Sequence, residues 1–392
     1  MATPRKHHGL NPEAKLNRSV LDSTKLPARP TRDGYGEGLL ELGASDKRVV
    51  VLCADLSEST RSLWFKEKYP ERFVQMGVSE QALASIAAGM ALAGKIPFIS
   101  SYASFSPGRN WEQLRTAAAL QNTPVKIAGA HAGVSVGPDG ATHQMTEDIA
   151  IMRVVPNMVV LVPCDVHETR KATVAAAKTS GPVYLRFTRD KSPIFTTNQT
   201  PFKIGRAETF RFGDDLTIIA AGPLLYEALL AADQLSREQG IEARVIDCHS
   251  VKPLDVKTIV QTAKETGAIV TVEEAQAAGG LGGAVCEALA ANAPVPVERV
   301  GMPDCFGESG TPSQLLDGFG LTAPSIAAAA IRVLKRKHGE RVPHVPEYIA
   351  AAAERLEAMK QQTLTESLSR TPKKWGGKQP DNTLKSRTTK PA

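Results

Sequence analysis

Residues 125–144 read VKIAGAHAGVSVGPDGATHQ, and this stretch joins a short apolar run to a glycine-rich loop. An apolar run as short as 125–130, bounded by polar residues, predicts a buried β-strand. The loop after it carries His131, Asp139 and His143. Ligands of open α/β sheets bind beyond the carboxyl ends of the strands, and glycine lets the backbone approach them closely. The stretch therefore predicts a candidate ligand site, although Asp139 and His143 could instead tie a simple turn together.

Similar runs recur on both sides of this stretch, with amphipathic segments between them. The predicted strands are 48–53, 96–101, 125–130, 158–162, 183–187, 216–221, 244–248 and 268–273. This alternation is typical of parallel sheets with helices on both faces, so the predicted fold class is α/β. Pro193 and Pro201 interrupt the rhythm. They predict a linker at 191–206 between a first domain at 31–190 and a second at 207–338.

Both ends of the chain are basic. Residues 1–32 hold seven Lys or Arg and two acidic residues, and residues 363–392 hold the same numbers, so each end carries +5. Because the whole chain carries +6, the part between the ends is left with −4. This distribution argues against nucleic acid as a partner. We interpret residues 1–30 as a basic N-terminal extension and residues 339–392 as a tail that is first helical and then disordered.

Other features of the whole chain predict a cytoplasmic protein with no membrane contact. The longest apolar run, 82–94, is shorter than the roughly 20 residues that span a bilayer. The first thirty residues lack the apolar core of a secretory signal. The five cysteines are odd in number and include no C-x-x-C pair, as is typical of reduced thiols. His131 and His143 lack the spacing of metal ligands on a helix, so no metal site is predicted in this chain.

Glu80 stands at the start of a predicted amphipathic helix, in the sequence GVSEQALASIAAGM at 77–90. The helix dipole favours an acid in the first turn, which would explain Glu80 without any function. The residues that follow are almost all apolar, however, and leave little solvated surface near the carboxylate. This composition favours a buried acid.

Two further motifs raise the question of phosphate binding. The sequence GGLGG at 279–283 opens a predicted helix, but its spacing matches neither G-x-G-x-x-G nor the Walker pattern. We interpret it as close packing of a helix on a sheet. Arg186 and Arg189 close the predicted strand at 183–187, where each could form a surface ion pair or a phosphate clamp.

Three motifs, in order, resemble the C-terminal half of a transketolase. They are ADLSES at 54–59, GVSEQ at 77–81 and the loop GVSVGPDGATHQ at 133–144. The resemblance runs from about residue 30 to residue 338. It implies a pyrimidine-binding domain followed by a transketolase C-terminal domain in a thiamine-diphosphate enzyme, in agreement with the two α/β domains predicted above.

The resemblance also implies which residues meet the cofactor. Glu80 matches the acid that hydrogen-bonds N1′ of the aminopyrimidine, a contact that promotes deprotonation of the thiazolium carbon. Phe105 matches the aromatic side chain that stacks on the pyrimidine, with Tyr102 beside it. Here the chain departs from the family pattern, since the stretch after Phe105 that begins at Ser106 contains an extra residue. Asp55 matches an aspartate near the pyrimidine and thiazolium rings.

A second group of residues matches the family's substrate site. His143 resembles the catalytic histidine at the reacting part of the sugar, and Asp139 resembles the residue that bonds a sugar hydroxyl. The positions that resemble the sugar-phosphate site are Arg32, Ser59, His131 and Arg189. Guanidinium groups with an imidazole and a hydroxyl are suited to binding a phosphate dianion.

The family's other half is missing from this sequence. That half carries a Gly-Asp-Gly motif and a downstream Asn that bind the diphosphate through a divalent cation, and no Gly-Asp-Gly occurs here. The resemblance therefore implies the second subunit of a split transketolase. An N-terminal partner chain would hold the diphosphate and a Mg²⁺ or Ca²⁺ ion, and two such pairs would form an α2β2 assembly.

Other enzymes with this cofactor remain as alternatives. A deoxyxylulose-phosphate synthase and a β subunit of a 2-oxo acid dehydrogenase both share the Glu80 pattern, and the synthase matches the GATHQ loop and Arg109 more closely. The dehydrogenase subunits are not expected to combine paired histidines with a phosphate-binding set. The matches at Ser59 and His131 favour a transketolase, which transfers a two-carbon ketol unit from a ketose phosphate to an aldose phosphate. Retention of Glu80 argues against a non-enzymatic regulatory remnant.

Overall fold

The structure is a computed structural model that describes residues 8–342, together with Glu357, Ala358 and Gln361. Apart from those three residues, the predicted tail beyond 342 lies outside the described residues, as do residues 1–7. Within the described part of the chain, no helix has both the length and the apolar character needed to cross a bilayer.

Each of the eight predicted runs contains a strand, and further strands lie between and beside them. The strands are β1 Gly9–Leu10, β2 Ala28–Pro30, β3 Val49–Cys53, β4 Phe73–Gln75, β5 Ile96–Tyr102, β6 Lys126–Ala130, β7 Val159–Leu161, β8 Val183–Arg186, β9 Lys191–Pro193, β10 Glu208–Phe212, β11 Leu216–Ala220, β12 Ala243–Asp247, β13 Ser250–Lys252, β14 Ile269–Gln276 and β15 Val297–Met302.

Helices connect most of these strands. They are α1 Thr31–Ser45, α2 Ser57–Thr60, α3 Ser62–Lys68, α4 Glu80–Leu92, α5 Trp111–Gln113, α6 Asp148–Arg153, α7 Val166–Ala177, α8 Leu224–Gln239, α9 Val256–Thr266, α10 Leu281–Asn292, α11 Pro312–Gly318 and α12 Ala323–Lys337. Short 3₁₀ turns occur at Pro12–Ala14, Ser23–Lys25, Pro70–Arg72 and Val134–Val136, and a π-helical segment at Leu114–Ala119.

Two sheets form the layers on which the helices pack, and both are dominated by parallel strands as predicted. The seven-stranded sheet has the order β13-β7-β8-β6-β5-β3-β4 and is parallel except for β13. The six-stranded sheet has the order β1-β10-β12-β11-β14-β15, and its last four strands are parallel. The fold is therefore α/β, with one sheet centred in each domain.

The sequence pattern missed the parallel strands β4 and β15 and the antiparallel strands β1, β2, β9, β10 and β13. β13 comes from the second domain yet pairs with β7 of the first, so the seven-stranded sheet crosses the domain boundary. β2 pairs with β9 in a separate ribbon. β2, β9 and β13 have only three residues each, which is too short to show an alternating or continuous apolar pattern.

The N-terminal segment packs on the second domain. β1 adds to the edge of the six-stranded sheet beside β10, and the amide of Asn11 donates to the carbonyl of Phe210 at 2.8 Å. Val20 is fully buried in the core that also contains Phe195 and Phe210. The described part of the basic extension, from residue 8 onward, therefore contributes to the core of the second domain.

Candidate active site

The site forms where the ends of neighbouring parallel strands meet. β3, β5, β6 and β8 lie side by side in the seven-stranded sheet. Tyr102 is paired with Ala130, and Gly129 with Arg186, so the last residues of β5, β6 and β8 lie in one row. The loop after β6, residues 131–144, is called the histidine loop below. Because the strands are parallel, this loop emerges beside the end of β5.

Four rings pack together at this edge of the sheet. The His131 ring stacks on Tyr102 with the centroids 4.0 Å apart, and the ring planes of Tyr102 and Phe105 are 9° apart at 6.0 Å. His143 meets the Phe105 ring edge-on at 5.5 Å and the Tyr102 ring at 6.2 Å. The structure thus joins two of the predicted cofactor residues to both predicted histidines in one aromatic cluster.

Glu80 lies at the other side of Phe105. As predicted, it begins a helix and is buried, with 2% of its surface exposed. Its Oε2 accepts a hydrogen bond from Nη1 of Arg109 at 3.2 Å, and the Arg109 guanidinium lies over the Phe105 ring at 5.0 Å. The buried side chain of Asn110 donates to the Glu80 carbonyl at 3.0 Å, which anchors the start of α4. The carboxylate is therefore out of bulk water and is linked to the Phe105 ring through Arg109.

Positive charge concentrates around His131 at the opposite end of the cluster. Nη1 of Arg32 lies 2.9 Å from the Ser59 carbonyl and 3.4 Å from Nε2 of His131. Burial, followed by the charges of Arg32, Arg189, Arg61 and His143, lowers the pKa of His131 to about 2. The imidazole is therefore neutral at physiological pH, and because Arg32 can only donate, we assign the proton to Nδ1.

Two buried donors at this end remain unused by the protein. Among the described residues, Nδ1 of His131 and Nε of Arg32 have no hydrogen-bond partner. Buried polar groups are normally paired, so an unpaired donor in a cluster of positive charge calls for an acceptor. An anionic ligand would supply that acceptor.

Arg189 and Asp139 form an ion pair at the rim of the site. Nη1 of Arg189 lies 3.0 Å from Oδ2 of Asp139 and donates to the Val136 carbonyl at 3.3 Å. Arg189 and Asp139 retain 40% and 32% side-chain exposure, so both can be reached from solvent. The pair links the end of the first domain's β8 segment to the histidine loop.

Arg61 belongs to this end of the site, and the sequence analysis missed it. Its Nε donates to Oδ1 of Asp33 at 2.8 Å, and its charge reaches both His131 and Arg32. Its position two residues after Ser59 was the available signal.

Arg61 and His131 share a left-handed backbone conformation, with φ values of 66° and 57°. This conformation costs a non-glycine residue about 1–3 kcal/mol and is concentrated at functional sites.

Asp55 occupies a more separate position. It lies at the end of β3 with a φ of 59°, and its Oδ1 accepts a hydrogen bond from the Gln75 side chain at 3.2 Å. The Gln75 oxygen in turn accepts from the Asp55 amide at 3.2 Å. The side chain is therefore fixed at the strand end, exposed, and paired with β4.

The structure corrects the prediction that Arg186 forms a surface ion pair or a phosphate clamp, and it agrees with the packing interpretation of the glycine run at 279–283. Arg186 is neither a surface ion pair nor a clamp for a ligand, because it is fully buried and donates to Asp148 at 2.9 Å. At the start of α10, the amides of Leu281 and Gly282 donate to the Glu273 carboxylate at 2.7 and 2.8 Å. A side chain thus occupies the place that a phosphate would take, as the packing interpretation expects.

The residues fit the pyrimidine end of thiamine diphosphate. The buried Glu80 carboxylate and the nearly parallel rings of Tyr102 and Phe105, which Arg109 connects, offer a hydrogen-bond partner and a stacking surface for an aminopyrimidine. The described residues with metal-ligand spacing are elsewhere, in the buried group of Glu168, Asp247 and His249 between the domains. There Nδ1 of His249 lies 2.7 Å from Asp247 and 3.3 Å from Glu168, so the three side chains form an ion-paired contact with one another.

Comparison with known proteins agrees with the fold. The family profile "Transketolase, pyrimidine binding domain" matches residues 28–193, and "Transketolase, C-terminal domain" matches residues 205–326. A putative transketolase C-terminal section of Methanocaldococcus jannaschii is 44% identical over 309 residues, covering 78% of this chain and 96% of that protein. A 6-deoxy-6-sulfo-D-fructose transketolase subunit of a Clostridium species is 40% identical over 314 residues, covering 80% and 97%.

A solved structure is similar over the same part of the chain. It is described as the inactive beta4 tetramer of a split gene transketolase and shares 46% identity with a TM-score of 0.74, covering 79% of this chain and 99% of that one. The two matched domains define this protein as a transketolase-type chain. It belongs to the transketolase family, and these relatives are named a putative C-terminal section, a subunit and a split gene transketolase.

Proposed function

We propose that this chain is the pyrimidine-binding subunit of a split, thiamine-diphosphate-dependent transketolase. It transfers a two-carbon ketol unit from a ketose phosphate to an aldose phosphate, together with a partner chain. The observation that carries the proposal is one continuous cluster from the buried acid Glu80, through Arg109 and the aromatic rings, to the positive charges around His131. The cluster offers a cofactor end and an anion end.

Glu80 and Phe105 serve the cofactor in this proposal. When bound, thiamine diphosphate supplies the carbon centre that accepts and passes on the two-carbon unit. Glu80 would hold the cofactor by a hydrogen bond from its buried carboxylate to the pyrimidine nitrogen, and burial would strengthen this interaction by excluding water. Phe105 and Tyr102 would provide the stacking surface for the ring, and Asp55 would contact the cofactor from the end of β3.

The sugar lies along the histidine loop. The anion end, made of Arg32, Ser59, His131 and Arg189, binds the phosphate group. Asp139 bonds a hydroxyl of the sugar chain. His143 transfers protons at the reacting carbons, since the Thr142 hydroxyl lies 2.9 Å from its Nδ1 and leaves Nε2 for the substrate.

A partner subunit is part of the proposal because this sequence has no Gly-Asp-Gly motif. The partner would hold the diphosphate and a Mg²⁺ or Ca²⁺ ion, in a cytoplasmic α2β2 assembly. Three apolar side chains beside and along the Glu80 helix are exposed, Val78 by 72%, Ile86 by 45% and Leu92 by 66%. Such side chains are available for contact with a partner.

The test is an assay of two-carbon transfer between pentose phosphates with thiamine diphosphate and Mg²⁺. This chain, the N-terminal partner and their mixture are compared, and size-exclusion chromatography shows whether they assemble. We expect transfer only from the mixture, and its loss when thiamine diphosphate or the metal is omitted. An inactive mixture in which both chains fold and assemble would contradict the proposal, as would activity of this chain alone. A sulfonated ketose should be included as a donor, because the Clostridium relative is named for one.

A further inference from the structure

The histidine loop adopts a backbone path that needs support from outside the loop. His131, Gly133 and Gly137 all have φ values between 57° and 84°, and a histidine prefers other regions. The amide of Gly133 donates to the Met145 carbonyl at 2.7 Å within the first domain. The next anchored amide, that of Ser135, bonds to a different domain.

That bond joins Ser135 to Glu274 on β14 of the second domain. Oε1 of Glu274 accepts from the Ser135 amide at 2.7 Å, and Glu274 is 3% exposed. A Cβ atom at Gly133 would lie 2.2 Å from the same oxygen, so the loop backbone and the carboxylate interlock. A hydrogen bond to a buried carboxylate is among the stronger ones in proteins.

Glu274 is itself fixed by the buried charges of the first domain. Nη2 of Arg186 donates to the Glu274 carbonyl at 2.6 Å, and Nε of Arg186 donates to Asp148 at 2.9 Å. Asp148 also accepts from the Tyr184 hydroxyl at 2.7 Å and begins the helix that follows the loop. The backbone of β14 at Glu274 is therefore tied to the buried Arg186–Asp148 pair of the first domain.

The loop borders a cavity at this point. Ser135 and Glu274 line a cavity of about 350 Å³ between the domains, which Tyr226 and Leu230 also line. Since empty space lies on that side of the loop, the Ser135 amide could move into it if its acceptor were removed.

We propose that Glu274 is a positioning residue for the substrate site. Its carboxylate, presented by the second domain, fixes the Ser135 amide and thereby keeps His131, Asp139 and His143 where a sugar phosphate meets them. This inference rests on the proposed function, and it gives the second domain a role in substrate binding without any contact with the substrate.

The test uses the full-length chain with Glu274→Ala and Glu274→Gln, assembled with its partner. We expect Glu274→Ala to speed hydrogen–deuterium exchange of the peptide covering 131–144 and to raise the KM for a phosphorylated donor, each by about tenfold or more. The affinity for thiamine diphosphate should stay within about twofold. Glu274→Gln keeps an oxygen acceptor, so its loop exchange rate and its donor KM should return most of the way to the wild-type values.

A matched control is Glu273→Ala, which removes the neighbouring buried acid and its bonds to α10 without touching the loop. It should leave exchange of 131–144 and the donor KM unchanged. The proposal is overturned if Glu274→Ala leaves loop exchange or KM unaltered, if the glutamine variant fails to rescue, or if the control reproduces the same changes. Hydrogen exchange of the loop is measured without turnover. An inactive wild-type pair would therefore refute the proposed function, whereas the exchange data would still show whether Glu274 fixes the loop.

Discussion

Arg186 and Asp148 form an ion pair in which both side chains are fully buried, with Nε of Arg186 2.9 Å from Oδ2 of Asp148. The desolvation of such a pair is compensated only when further hydrogen bonds satisfy the remaining donors and acceptors. Here the Tyr184 hydroxyl also donates to the same Asp148 oxygen and Arg186 reaches the Glu274 carbonyl of the other domain, while Oδ1 of Asp148 has no hydrogen-bond partner among the described residues. The pair therefore ties the two domains together behind the histidine loop.

Replacing Arg186 by methionine should destabilise the protein strongly. The change leaves Asp148 buried without its counter-charge, so we expect a loss of about 3–5 kcal/mol in the free energy of unfolding. Urea unfolding at pH 7 measures it. The control is Arg48→Met, whose exposed pair with Asp46 should contribute less than about 1 kcal/mol. Equal losses in the two variants would show that the buried pair has no special role.

Glu273 should make stability depend on pH. Burial raises the pKa of this carboxyl from 4.5 to about 7, so its contribution to stability is present below pH 4.5 and is lost as the pH rises through 7. Glu273→Gln removes this titration. Between pH 5 and pH 8, the free energy of unfolding of the wild type should therefore fall by up to about 3 kcal/mol more than that of the variant. Urea unfolding at both pH values tests this, and parallel pH profiles for the two proteins would contradict it.

Much of the fold was predictable because long buried strands carry a strong pattern. β3 is a continuous apolar run and β5 and β6 are mostly apolar, and the structure places each where the sequence predicted it. β13 was missed because its three residues gain their strand character from pairing with β7. Such a contact depends on how the two domains dock, which a local pattern does not contain.

The residues of the site were also predictable where local sequence identifies them and not where their role depends on contacts between distant segments. The burial of Glu80 followed from its own helix, and the residues of the histidine loop could be named from one motif. Arg61 had one local signal, its position two residues after Ser59. Glu274 had none, because its contact with the histidine loop crosses between domains and is visible only in the structure.

Arg189 should matter for phosphorylated sugars more than for free ones. Arg189→Ala removes a guanidinium from the anion end, so the KM for a phosphorylated donor should rise about 10- to 100-fold. Kinetics with the phosphorylated and the unphosphorylated ketose measure the difference. Arg170→Ala is the control, since Arg170 pairs with Glu41 on α1, outside the site, and should change neither KM. Equal effects of Arg189→Ala on both sugars would exclude a phosphate contact.

The most direct test of the account is the transfer rate of Glu80→Gln in the assembled pair, with Glu238→Gln on the exposed end of α8 as the matched control. The variant keeps the volume of the side chain but cannot hold a negative charge toward the cofactor. We predict that transfer falls by about 100-fold or more while assembly and unfolding stay near wild type, and that Glu238→Gln is fully active. Wild-type transfer by Glu80→Gln would contradict the account, because the buried carboxylate would then have no part in the reaction.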